Sequence, residues 1–133
     1  MATEILINDG GAPARILPYT AGSTISAGRL IDIASDGQVD HATTSGSKIL
    51  GVSLTAAESG NICNVISGHG VQLNVFASSS TGNATAIGDE LVARITDGCL
   101  AEKTSGADAG QVLAIALAAQ DANSTGLIKV QMV

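Results

Sequence analysis

The sequence predicts an all-β fold: a small β-barrel, β-tulip-like or sandwich domain built from two similar β-meanders, with an extended N-terminal arm. Three observations predict it. Apolar residues recur with a period of two, the signature of half-buried strands. Turn signals rich in Gly, Asp, Ser and Asn follow one another every ~8–12 residues. A block of strands and turns also occurs twice.

Residues 1–24 form the predicted arm. They hold Pro13 and Pro18, the only two prolines, and the only tyrosine, Tyr19. Proline cannot donate to a strand ladder, which confines such a segment to edges or extended arms. Glu4–Ile7 and Arg15–Thr20 are its short strand candidates, and an ordinary edge strand of the same domain is the alternative for residues 1–20.

The β domain occupies residues 25–133. Its first copy covers 25–77, a polar linker covers 78–85, and its second copy covers 86–133. Leu30–Ala34, Gln38–His41, Ile49–Leu54, Asn61–Ile66 and Val71–Phe76 are the strands of the first copy. Glu90–Ile95, Cys99–Glu102 and Leu127–Val133 belong to the second. Gln111–Gln120 is rich in helix formers, but its place in the repeat assigns it to a strand. The copies align at Gly28/Gly88, Asp36-Gly37/Asp97-Gly98, Ser45-Gly46/Ser105-Gly106 and Gly60/Gly126, and their spacing drifts from 60 to 66 residues. Asp-Gly between alternating runs predicts tight hairpins, because both residues tolerate positive φ.

Composition bounds the function. Ala, Gly, Ser and Thr make up 61 of 133 residues and Ile, Leu and Val another 33, with charged residues at 14%. Such a core lacks aromatics and is thin for an isolated monomer, so oligomerisation or docking would add buried area. A net charge of −6 argues against nucleic acid, and one Tyr, one Phe and no Trp argue against base or sugar stacking. The chain shows no membrane-length apolar run and no signal-peptide pattern.

Chemical motifs are sparse. His41 follows Asp40, and His69 sits between Gly68 and Gly70. There is no nucleophile elbow, no phosphate loop and no metal-ligand spacing. Cys63 and Cys99 are expected as reduced, buried thiols. Asp9, Asp36 and Asp97 stand beside turn glycines, as turn formers do. The expectation is a non-enzyme with no catalytic residue, cofactor or metal.

The repeated grammar carries a resemblance. Gly28-Arg29-Leu30, Asp36-Gly37, the run Ile49-Leu50-Gly51-Val52-Ser53-Leu54-Thr55-Ala56-Ala57, Gly60, and Val65 to Gly70 make up its first copy. Gly88-Asp89-Glu90-Leu91 and Asp97-Gly98 carry the second. Over about residues 20–133 the chain resembles the capsid decoration, or cement, proteins of tailed bacteriophages. That resemblance implies a homotrimer on the outer surface of a virion, made in the host cytoplasm, clamping neighbouring major capsid protein subunits. It implies capsid contact by β-augmentation through the arm, for which Ile5, Ile7, Arg15, Ile16 and Tyr19 are the candidates. Val71, Leu73, Val75, Ile128 and Val130, on the cleanest alternating strands, are the subunit-interface candidates, while Phe76 is expected in the core. On this reading, deleting residues 1–19 leaves a folded domain that no longer attaches. A tail or fibre component and a small receptor- or glycan-binding module are the alternatives.

Overall fold

Alternating Val, Ile and Leu against Asn, Gln and Ser cannot bury one side as a helix, but does so as a strand. The computed structural model, which describes residues 5–8, 15–42, 49–79, 84–95, 98–103 and 112–133, is accordingly all-β among those residues. Its strands are β1 (Leu6–Asn8), β2 (Arg15–Thr20), β3 (Leu30–Ile33), β4 (Val39–His41), β5 (Ile49–Ser53) and β6 (Ile62–Ser67). They continue as β7 (Gln72–Ser78), β8 (Glu90–Ile95), β9 (Cys99–Glu102), β10 (Ala114–Ala116) and β11 (Thr125–Met132). The helix-rich segment at 111–120 contributes β10, as its place in the repeat requires. The turn residues at 9–11, 45–46, 81–83, 97 and 105–106, Glu4, and the Ile7 side chain lie outside the described residues.

The strands build two lobes of one topology. The first has the order β2-β6-β5-β3-β4, and the second β7-β11-β10-β8-β9, with β1 added to β7. Each number in the second order is five more than its counterpart in the first. Register agrees at every shared point. Leu17 and Ser53 both pair with Val65, as Leu73 and Ala116 both pair with Val130. Each ring closes through one parallel bridge, Ala21 to Val39 in the first lobe and Ala77 to Leu100 in the second. Even the lone bridge Ile25–Ala57 has its counterpart in Thr85–Gln120.

This topology moves the boundary between copies. The structural repeat runs from β2 to β6 and from β7 to β11, so Val71–Phe76 opens the second copy instead of ending the first. Arg15–Thr20 is the edge strand of the two alternatives, not a free arm. It pairs with β6 along its whole length and is the counterpart of β7. Pro18 sits opposite Asn64, a position where a strand needs no N–H toward its neighbour, which is why the ladder tolerates it.

Two cores follow from the alternation. A smaller one inside the first lobe gathers Ala21, Ile25, Ile31, Val39, Cys63 and Val65, with Tyr19 against it. The larger one fills the second lobe and extends into the joint, where Leu30, Val52 and Ile66 project from the opposite face of the first lobe's sheet. Neighbours such as Leu30 and Ile31 thus serve different cores, because adjacent strand residues point to opposite faces.

The joint is made of main chain as much as of side chains. Phe76 N–H donates to Gly28 C=O at 2.8 Å, and Leu30 N–H donates to Gly98 C=O at 2.7 Å. The Arg29 guanidinium lies 4.0 Å from the Phe76 ring centroid, and its Nη1 approaches Cys99 Sγ at 3.1 Å. Gly28 and Gly98 must be glycine here. Both have φ in the left-handed region, and a Cβ would lie 2.8 Å from Leu127 Cδ2 at the first and 2.5 Å from Leu30 O at the second.

Candidate interaction surface

Among the described residues the polar side chains assemble no reaction centre. Ser23 Oγ donates to Asp40 Oδ1 at 2.7 Å, and the Ser26 N–H donates to His41 Nε2 at 3.1 Å. Asp40 and His41 are neighbours on β4 and so face opposite sides of the sheet. The Ser–Asp pair and the imidazole are therefore kept apart, and the ring nitrogen is already engaged by backbone. His69 is exposed in the turn between β6 and β7. Among the described residues no three His, Cys, Asp or Glu side chains come together as a metal site.

Cys63 and Cys99 are both buried free thiols. Burial among apolar neighbours pushes the Cys63 thiol pKa upward, which keeps it protonated and inert.

What the surface does offer is apolar area on the first lobe. Ile16 is 44% exposed, Leu17 43% and Ile62 57%. All three lie on the β2–β6 ribbon, but not as one patch. Ile16 pairs with Ile66 and Thr20 with Ile62, so Ile16 and Ile62 share a face at opposite ends of the ribbon, while Leu17, paired with Val65, lies on the other face. Next to Ile62 a groove of about 400 Å³ is lined by Thr24, Ile25, Ala56, Ala57, Glu58 and Asn61. Small alanines keep its floor low, and Glu58 is its one charged wall. The arrangement suits a protein partner, with an apolar centre and a polar rim.

The residues singled out from sequence divide sharply. Arg15 and Ile16 are exposed on β2, while Tyr19 is half-buried against the smaller core. Ile5 is buried in the larger core, where it cannot reach a partner. Val71, Leu73, Val75, Ile128 and Val130 are all interior residues of that same core. Clean alternation marks an inward face, and here the inward face is the chain's own interior. Phe76 is half-buried, capped by Arg29. Ile62 was not singled out from the sequence; it lies on the face of β6 away from Cys63 and Val65, and its opposite number is Thr20 at the end of β2.

No protein-family model matches the chain, and no curated protein matches it in sequence. A solved structure does: the N base of the head fiber gp8.5 of bacteriophage phi29, with a TM-score of 0.67 over 91% of this chain and 95% of that one, at 18% identity. The fold is similar to that of a phage head-fiber base. At this identity the likeness is one of architecture, and it bears out the all-β, barrel-like expectation.

Proposed function

We propose that the protein is a structural component of a phage virion, seated on the outer surface of the head and held there by protein–protein contacts. The supporting observation is the match to a head-fiber base along nearly the whole of both chains. The rest of the molecule agrees with it. Among the described residues no metal-ligand cluster forms, and the β2–β6 ribbon of the first lobe carries exposed apolar side chains. On this reading the major capsid protein is the partner, the protein acts as a trimer, and it stabilises contacts between capsid subunits rather than catalysing a reaction. Contact runs through the exposed start of β2, Arg15 and Ile16. β-Augmentation along β2 is disfavoured by Pro18, which lacks an N–H on the very edge an added strand would use.

A second reading draws on the same match: the chain is the base on which a fibre stands, since it spans 95% of the phi29 N base. Co-sedimentation with heads of the phage that encodes the protein tests the first reading. Wild type should pellet with heads, and the Ile16→Asp variant should stay in the supernatant. Electron microscopy of virions then separates a low knob from the foot of a fibre. Failure of the wild-type protein to bind heads would overturn the head-surface role.

A further inference from the structure

The two lobes share one topology but not one environment, and the difference has a direction. The first lobe docks on the second through its β2–β3 loop, residues 26–30. Gly28 C=O takes the Phe76 N–H, Leu30 N–H reaches Gly98 C=O, and Arg29 covers Phe76 and Cys99. The register places the second lobe's counterparts of this loop at residues 86–90. There Ile87 is 69% exposed, Glu90 is exposed, and a Cβ on Gly88 would meet no atom within 4 Å. The receiving side shows the reverse. Phe76, Gly98, Cys99 and Leu127 correspond to Thr20, Gly37, Gln38 and Ile62 on the first lobe. Of these, Gly37 is open and Ile62 is more than half exposed.

Among the described residues one docking loop is used and its twin is free, and one receiving face is covered and its twin is free. The contact between lobes is therefore heterologous, head to tail, and it leaves both of its unsatisfied halves on every chain. Heterologous contacts repeat until they close a ring or extend a filament.

We propose that a second copy of this chain occupies the open face: loop 86–90 of one copy docks against Thr20, Gly37, Gln38 and Ile62 of the next. Its main-chain bonds repeat the internal ones. Thr20 N–H, which faces away from β6, donates to Gly88 C=O, and Glu90 N–H donates to Gly37 C=O. Its side chains differ in a consistent way. Asp89 stands where Arg29 does, and it faces the hydroxyl of Thr20 and the amide of Gln38, two donors in place of a ring and a thiol. Ile87 adds apolar contact where the first lobe has only Ala27. Glu90 replaces the buried Leu30, so the joint between chains is weaker than the joint within one. The inference rests on the lobes alone; if the protein is also the trimer of the preceding reading, that trimer is a ring of six lobes.

A disulfide reports this geometry. A Cβ built on Gly98 lies 3.1 Å from Arg29 Cβ, which brings the corresponding pair, Gly37 and Asp89 of neighbouring copies, within bonding range after a small adjustment. The purified Gly37→Cys/Asp89→Cys protein, oxidised at high concentration, should form covalent multimers on a non-reducing gel. Each single variant should stop at dimer or below. In parallel, Ile87→Arg should weaken self-association by sedimentation at least tenfold with an unchanged melting temperature. A folded double variant that stays monomeric after oxidation, or that links within one chain, overturns the proposal, as does an Ile87→Arg protein that associates like wild type. Head binding is scored separately, so absence of this joint in a wild-type protein that still binds heads sinks this inference and leaves the virion role standing.

Discussion

Ser53 is the residue whose removal tests the joint between lobes most directly. It is fully buried at the end of β5, yet it is polar. Its Oγ donates to Ser26 C=O at 2.6 Å and accepts the Arg29 N–H at 3.0 Å, holding loop 26–30 in its docking shape. Ser53→Ala removes both bonds. Ser26 is exposed, so its carbonyl can turn to water, but the Arg29 N–H is left without this acceptor in a part-buried place. An unsatisfied buried group costs ~1–3 kcal/mol. At ~2.1 cal/mol/K per residue, unfolding a chain of 133 residues carries an entropy of about 0.28 kcal/mol/K near the midpoint. The melting temperature should therefore fall by roughly 4–10 °C. Differential scanning calorimetry measures that fall. Amide exchange should also quicken at Arg29 and Leu30 ahead of the strands. The counterpart residue is Ala116, whose loop is held instead by the Asp89 carboxylate accepting the Ala86 N–H at 2.8 Å. Asp89→Ala should thus loosen loop 86–89 in the same manner. A Ser53→Ala protein that melts within 1 °C of wild type, taken as roughly the reproducibility of such scans against the expected fall, would refute this account of the loop.

Other outcomes follow from the same structure. Leu73→Ala should cost ~2–5 kcal/mol, as a core truncation does, and leave the solution mass of the folded protein unchanged; dissociation without loss of stability would return Leu73 to a subunit interface. Deleting residues 1–19 should unfold the first lobe, because it strips most of β2 from β6 and Tyr19 from the smaller core; a cooperative melt of that truncation would restore the free-arm expectation. Cys63 links stability to alkaline pH. Its raised pKa means that its share of stability is present below the ordinary thiol value of 9.0 and is lost as pH climbs from there through the folded value. Urea midpoints should thus drop as pH rises above 9.0, and Cys63→Ala should flatten the drop.

Much of the fold was legible in the sequence for a simple reason. Alternation fixes which face of a strand is buried, and Asp-Gly fixes where a hairpin turns, so β2, β8 and β9 coincide with their expected bounds. Even the alanine-rich strand β10 was legible, through its place in the repeat. The start of the repeat was not. Pro18 reads as a strand breaker, and nothing local says that its position faces away from β6. The interaction surface was harder still. Val71, Leu73, Val75, Ile128 and Val130 alternate cleanly because they line a core, while Ile62, on the face of β6 opposite Cys63 and Val65, is exposed. Period alone shows that a face is apolar, and only packing shows what covers it.

The pairing of first strand with last carries a consequence for how the chain is made. Within each lobe the paired strands farthest apart in sequence are β2 with β6, and β7 with β11. Such non-local pairing is slow to form. Synthesis delivers the chain from the N-terminus, so β6 emerges while most of the second lobe is still unmade. The first lobe can complete its ring at that point and present loop 26–30 in finished form. β7 must wait for β11, and during that wait Gly28 and Leu30 are a ready-made template on which Phe76 and Gly98 can settle. The lobes thus mature in sequence, the earlier acting as a built-in mould for the later.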